Sequence, residues 1–244
     1  SSFFGFILFF GIFWAYSFVS IFLIVMAMSV FTSSTLPLAE SLTLAHLKAN
    51  KANSKYSYIR LWGSIGFIVA AILLGMMIDS IGEQALIYAL LLTQLTIFLL
   101  AFLLPRKRVI FKERNKRSIW PILKNREVIV LLLSCALMVS SHGLLYNFYS
   151  IFLEQQGYSG TTIGLLWSVG VVFEILIFLS MPRILKNYSL KEVLLVSLVF
   201  AVIRFFLIGT YVDSLVILII AQTMHAATFG SFHVASIQLI AHFF

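Results

Sequence analysis

The sequence predicts an all-α membrane protein that crosses the bilayer about eight times in two bundles. Three observations carry this expectation: the apolar excess, the length of the apolar runs, and the alternation of basic residues between successive loops. Of 244 residues, 61% are hydrophobic and 11% charged, with a mean hydropathy of +1.04. A water-soluble domain carries roughly 45–50% apolar and roughly 25% charged residues. A soluble fold of this composition would have too little polar surface to face water, so the solvent implied is lipid, where a span needs about 20 mostly apolar residues.

The runs follow in order. The first covers residues 3–16 and is short for a span. The second runs from Val19 to His46 and is expected to break at Pro37. The third spans Tyr58–Ile78 and the fourth Glu83–Leu104. After a polar stretch, spans are predicted at 128–153, 161–182, 191–211 and 214–241. These lengths suit tilted helices. The strict alternation of membrane β-strands is absent. Pro37 and Pro182 are expected near span ends, where a missing backbone donor is tolerated. The chain begins at Ser1 without a methionine and stops in Phe243-Phe244 without a polar tail. Both ends read as cuts through or near helices, and no signal peptide is recognisable.

The basic residues orient the spans. Lys48, Lys51, Lys55 and Arg60 follow the second span. Nine lie around the central polar stretch, from Arg106 to Arg126, and Arg183, Lys186 and Lys191 lie between spans six and seven. The opposite loops carry Asp79, Glu83, Glu154 and Asp213 and no Lys or Arg. This is the positive-inside pattern. It places 105–127 in the cytoplasm as a basic linker against anionic head groups, between an amino-terminal bundle (1–104) and a carboxy-terminal one (128–244). The net charge of +8 is therefore topological, and nucleic-acid binding is not expected. The single cysteine, Cys135, excludes a disulfide framework and a Cys-based metal site.

Polar residues at bilayer depth are costly, by roughly 2.5–3.5 kcal/mol on insertion scales, and need partners or a wet cavity. Glu174 lies mid-span with Trp167, Gly170, Phe178 and Met181 on its face. Arg204 cannot deprotonate. It needs an acid or an anionic ligand, and Glu174 on the preceding span is the nearest candidate in sequence. His225 shares a face with Phe229, Phe232 and Ser236, with His233 turned about 80° away. Titration near neutrality suits His225 to proton handling. His142, Tyr146 and Tyr149 form a polar-aromatic stripe at helical spacing. Glu40 and Arg60 are positioned to pair across spans two and three. Gly63, Gly66 and Gly75 suit close helix packing. No P-loop, metal-ligand run or nucleophile motif occurs, so neither a cofactor nor an enzymatic activity is expected. A membrane-embedded transferase would group catalytic residues on interfacial loops, and here the outer loops are only a few residues long. A non-transporting sensor of the same fold is the other alternative.

Three segments carry a family resemblance. They are Tyr56-Ser57-Tyr58-Ile59-Arg60-Leu61-Trp62-Gly63-Ser64, Leu166-Trp167-Ser168-Val169-Gly170-Val171-Val172-Phe173-Glu174, and His225 with Thr228-Phe229 and His233. Together they resemble the phenylpropionate (hydroxycinnamate) permease group of the major facilitator superfamily, over essentially the whole chain. The resemblance implies helices three to ten of a twelve-helix fold. The pattern is more distantly similar to the lactose permeases. On that match Glu40 and Arg60 fall at substrate-holding positions, and Phe67, not a tryptophan, matches the aromatic platform. Glu174, Arg204 and His225 match an acid, an arginine and a histidine on helices eight, nine and ten. Thr228 replaces a second acid, and His142 an aspartate of helix seven. The resemblance implies alternating access in the cytoplasmic membrane of a bacterium, by a monomer binding a small organic acid together with a proton. Glu174, Arg204 and His225 would couple the proton. Glu40, Arg60, Phe67, His142, Tyr146, Trp167 and Phe229 would contact substrate. A sugar or nucleoside is the alternative substrate. With four helices outside the match, these 244 residues alone are expected not to transport.

Overall fold

The computed structural model describes residues 2–49, 56–103 and 120–243. Its elements are α1 (Ser2–Phe10) with a 3-10 turn (Gly11–Trp14), α2 (Phe18–Thr32), α3 (Thr35–Ala49), α4 (Tyr56–Ile81) and α5 (Gln84–Ala101). After these come α6 (Trp120–Leu123), α7 (Arg126–Gln155), α8 (Gly160–Asn187), α9 (Leu190–Thr210) and α10 (Leu215–Thr223). A π turn (Ala226–Ser231) then leads into α11 (Phe232–Phe243). Among the described residues, seven helical stretches are long and apolar enough to cross a membrane, and the shorter apolar helix Phe3–Trp14 corresponds to the first expected run. The chain is an all-α, multi-pass membrane protein. Most of the linker predicted at 105–127 lies outside the described residues.

Two boundaries differ from expectation. The second run breaks at Ser33-Ser34, not at Pro37, which sits in the first turn of α3, where its missing N–H has no intrahelical partner to lose. Pro182 lies inside α8, which continues to Asn187. Serine and asparagine side chains start the later helices. Asn125, Ser159 and Ser214 cap α7, α8 and α10, and Ser189 closes a capping box with Glu192 on α9. Helix α7 stops because Gly157 takes φ +85°. Gly157 N then donates to Glu154 O and Tyr158 N to Leu153 O, the paired bonds of a glycine C-terminal stop. The Tyr158 hydroxyl goes on to donate to Val212 O at 2.7 Å, tying this turn to the one after α9.

The helices divide into two compact units. One comprises Ser1–Arg60 and Ile81–Arg114, the other Leu61–Ser80 and Asn115–Phe244. In the first unit α1 packs on α2 and α5 through phenylalanine rings. Phe6 and Phe98 stack at 5.7 Å and Phe4 and Phe31 at 5.3 Å. In the second unit α4 crosses α8 at backbone contact. A Cβ on Gly75 would collide with the Gly160 carbonyl, and one on Gly164 with the Ala71 carbonyl. The small residues recur every fourth position on both helices (Ala71, Gly75; Gly160, Gly164), the spacing that lets membrane helices approach closely. One turn beyond Gly75, the Asp79 carboxylate accepts from Gly160 N at 2.6 Å and Thr161 N at 2.8 Å, and from the Thr161 hydroxyl. It thereby satisfies amides at the start of α8 that have no helical partner. Of the three glycines expected to pack, Gly75 does so; a side chain at Gly63 or Gly66 would meet nothing within 4 Å.

Candidate substrate and coupling site

The second unit has a polar, aromatic interior. Helix α7 supplies His142, Tyr146 and Tyr149, one or two turns apart and so on one face. Helix α8 supplies Trp167, Gly170 and Glu174. Helix α9 supplies Arg204, and α10 with the π turn supplies Gln222, His225, Thr228 and Phe229. Gly170 makes the convergence possible. A Cβ there would stand 3.2 Å from Gln222 Oε1 and 3.4 Å from His225 Cδ2, tighter than ordinary contact, so the glycine lets these side chains approach α8 closely.

Arg204 is 0% exposed. Its Nε donates to Ala221 O at 3.1 Å, Nη2 to Gln222 Oε1 at 3.1 Å and Nη1 to Thr228 Oγ1 at 3.4 Å. All three acceptors are neutral oxygens, so these bonds position the guanidinium without neutralising its charge. Thr228 in turn lies 3.2 Å from His142 Nε2, while His142 Nδ1 lies 3.0 Å from Met138 O. A carbonyl only accepts, so Nδ1 carries a proton. Nε2 of the neutral ring then accepts from the Thr228 hydroxyl, which also lies 3.3 Å from His225 O.

The rings stack around this network. Tyr146 stacks on Trp167 at 5.8 Å and Tyr149 stands edge-on to Trp167 at 5.4 Å. Trp167 Nε1 donates to Ser150 Oγ at 3.0 Å, which fixes the indole. His142 lies 5.8 Å from the His225 ring and 6.1 Å from Phe229. His225, Phe229 and His233 form one continuous stack, at 5.3 and 5.9 Å. Each step of this stack is four residues, about 40° of turn on a helix, so the stack follows helical spacing. A π turn at Ala226–Ser231 lies within this stretch.

Of the residues singled out in the sequence, His142, Tyr146, Trp167, Arg204, His225 and Phe229 meet here. Glu174 borders the cluster, with its Cγ 3.5 Å from where a Cβ of Gly230 would stand. Phe67 is 46% exposed on α4 and, among the described residues, is not one of the rings in contact. Glu40 is half-buried on α3 of the other unit. The Arg60 side chain lies outside the described residues, and so does the expected Glu40–Arg60 pair. Gln222 is not singled out by the sequence, because an uncharged amide in a membrane helix carries no signal. Thr228 enters there only through the resemblance, as the replacement for a second acid, and Tyr149 only through the stripe with His142. Among the described residues, no group of His, Cys, Asp and Glu could hold a metal ion.

Comparison with known proteins agrees with this architecture. The family model described as the MFS_1 like family matches residues 1–244. The chain is 30% identical over 235 residues to the "Probable 3-phenylpropionic acid transporter" of Escherichia coli (strain K12), covering 94% of this chain and 61% of that protein. It is 26% identical over 178 residues to the "Maltose permease" of Geobacillus stearothermophilus, covering 72% and 45%. It is 24% identical over 219 residues to the "Uncharacterized transporter YwbF" of Bacillus subtilis (strain 168), covering 89% and 54%. The chain thus spans between about half and three-fifths of the length of these relatives. No solved structure matches it. A matched family of transporters, not of enzymes, and a membrane-spanning polar interior lead to one assignment: the chain belongs to the MFS_1-like family of the major facilitator superfamily.

Proposed function

We propose that the protein is a secondary active transporter that carries a small aromatic organic acid together with a proton, by alternating access. The observation that carries the reading is a fully buried guanidinium, Arg204, among neutral hydrogen-bond partners and within a ring of aromatic side chains. A positive charge held in an apolar medium favours an anion, and flat rings favour an aromatic body. The printed name of the Escherichia coli relative points the same way. In this reading His142, Tyr146, Trp167 and Phe229 contact substrate, with Glu40, Arg60 and Phe67 as the amino-terminal candidates. Glu174, Arg204 and His225 couple the proton. The protein works as a monomer in a bacterial cytoplasmic membrane with 105–127 on the cytoplasmic side, joining bundles 1–104 and 128–244.

Similarity to a protein named a maltose permease supports a second reading, a proton-coupled sugar or nucleoside symporter. Competition of labelled 3-phenylpropionate uptake by a panel of acids and sugars separates the two. Acids are expected to compete and sugars not to. Glu174→Gln is expected to abolish substrate-driven proton uptake in vesicles; intact uptake would remove Glu174 from the coupling role.

A further inference from the structure

The interior of the second unit holds two buried donors that the transport reading leaves unused. Tyr149 is 2% exposed and Gln222 is 0% exposed. The orientation of Gln222 is fixed, because its Oε1 accepts from Arg204 Nη2 at 3.1 Å. With the oxygen held there, the amide nitrogen points elsewhere. Gln222 Nε2 and the Tyr149 hydroxyl have no hydrogen-bond partner among the described residues. The two groups lie side by side near the Arg204 charge, near enough for a weak mutual contact but outside good hydrogen-bond geometry.

A buried donor without a partner is expensive, and folded proteins rarely keep two together. The chemistry of the missing partner follows from what is present. An amide nitrogen only donates, and the phenol has a proton to donate. Beside a guanidinium, the group that answers both is a carboxylate, with acceptor sites on two oxygens and no proton of its own. Trp167 stands edge-on to Tyr149 and stacked on Tyr146, so an aromatic body attached to that carboxylate would lie against rings already in place.

We propose that Tyr149 and Gln222 form a carboxylate cradle for the transported acid, with Arg204 as the residue that aims the Gln222 amide. The inference rests on the organic-acid reading above and names the residues that select an acid over its neutral analogue. Tyr149 Oη and Gln222 Nε2 each donate to a carboxylate oxygen, and the ring of the ligand lies against the Tyr146–Trp167 stack.

The test is equilibrium binding to the full-length protein in lipid nanodiscs, with 3-phenylpropionate and 3-phenylpropan-1-ol as paired probes. Wild type is expected to bind the acid at least about ten-fold more tightly than the alcohol, the worth of a hydrogen bond to a charged group. Tyr149→Phe is expected to lower acid affinity by about ten-fold, to leave alcohol affinity within about two-fold, and to leave the ligand-free melting temperature unchanged, because it removes an oxygen that bonds to nothing. Gln222→Glu keeps an acceptor for Arg204 and sets a negative charge in the cradle. It is expected to abolish acid binding and retain alcohol binding. Acid affinity that is unchanged in both variants, with a lower melting temperature for Tyr149→Phe, means that the two groups bond only to each other, and overturns the cradle. A wild type that binds maltose and neither phenyl probe overturns the organic-acid reading and the cradle with it.

Discussion

The two units solve the same problem, helices in lipid, in opposite ways. The first packs phenylalanine against phenylalanine along α1, α2 and α5. The second closes around polar groups. Among the described residues every fully buried polar or charged side chain, from His142 to Ser236, belongs to it. Lipid is as apolar as a phenylalanine ring, so the first unit gains little from burial and is held by van der Waals fit. In the second, each buried polar group must find a partner inside the protein or in a ligand. Chemistry therefore concentrates where packing alone cannot satisfy the chain.

Four substitutions sharpen or break this contrast, from the largest effect to the smallest. Arg204→Leu leaves Gln222, Thr228 and the Ala221 carbonyl without their donor. It is expected to cost about 3–5 kcal/mol and to abolish uptake, read by thermal melting in detergent and by transport in cells. Gly164→Val puts a side chain onto the Ala71 carbonyl; about 2–3 kcal/mol of stability is expected to go, seen as a lower melting temperature. Asp79→Asn removes a charge-assisted acceptor from the start of α8 and is expected to cost about 1–2 kcal/mol, read as a lower melting temperature. Phe98→Ala in the first unit is expected to cost about 1 kcal/mol and to leave acid affinity unchanged. A loss of affinity from Phe98→Ala equal to that from Arg204→Leu would end the division of labour between the units.

Much of this was legible in the sequence, for a physical reason. A charge or imidazole in an apolar run is conspicuous, and helical spacing groups it with its neighbours. His142, Tyr146, Trp167, Arg204, His225 and Phe229 were found that way, and they meet in the structure. Gln222 escapes because an amide is unremarkable in a membrane helix until a guanidinium is seen to bond it. Asp79 was read only as a charge orienting a loop. Its bonds to Gly160 and Thr161 join residues about 80 positions apart, a distance over which no local pattern reports.

The split crossing of α4 bears on how the chain can be divided. The helix starts in one unit at Tyr56, and from Leu61 to Ser80 it belongs to the other, where its small residues lock onto α8. Cutting the chain between 104 and 120 would not sort the residues into the two units, since the amino-terminal piece keeps 61–80. Produced as two separate polypeptides in one cell, residues 1–104 and 120–244 should co-purify through α4 and α8, and Gly164→Val should release one from the other.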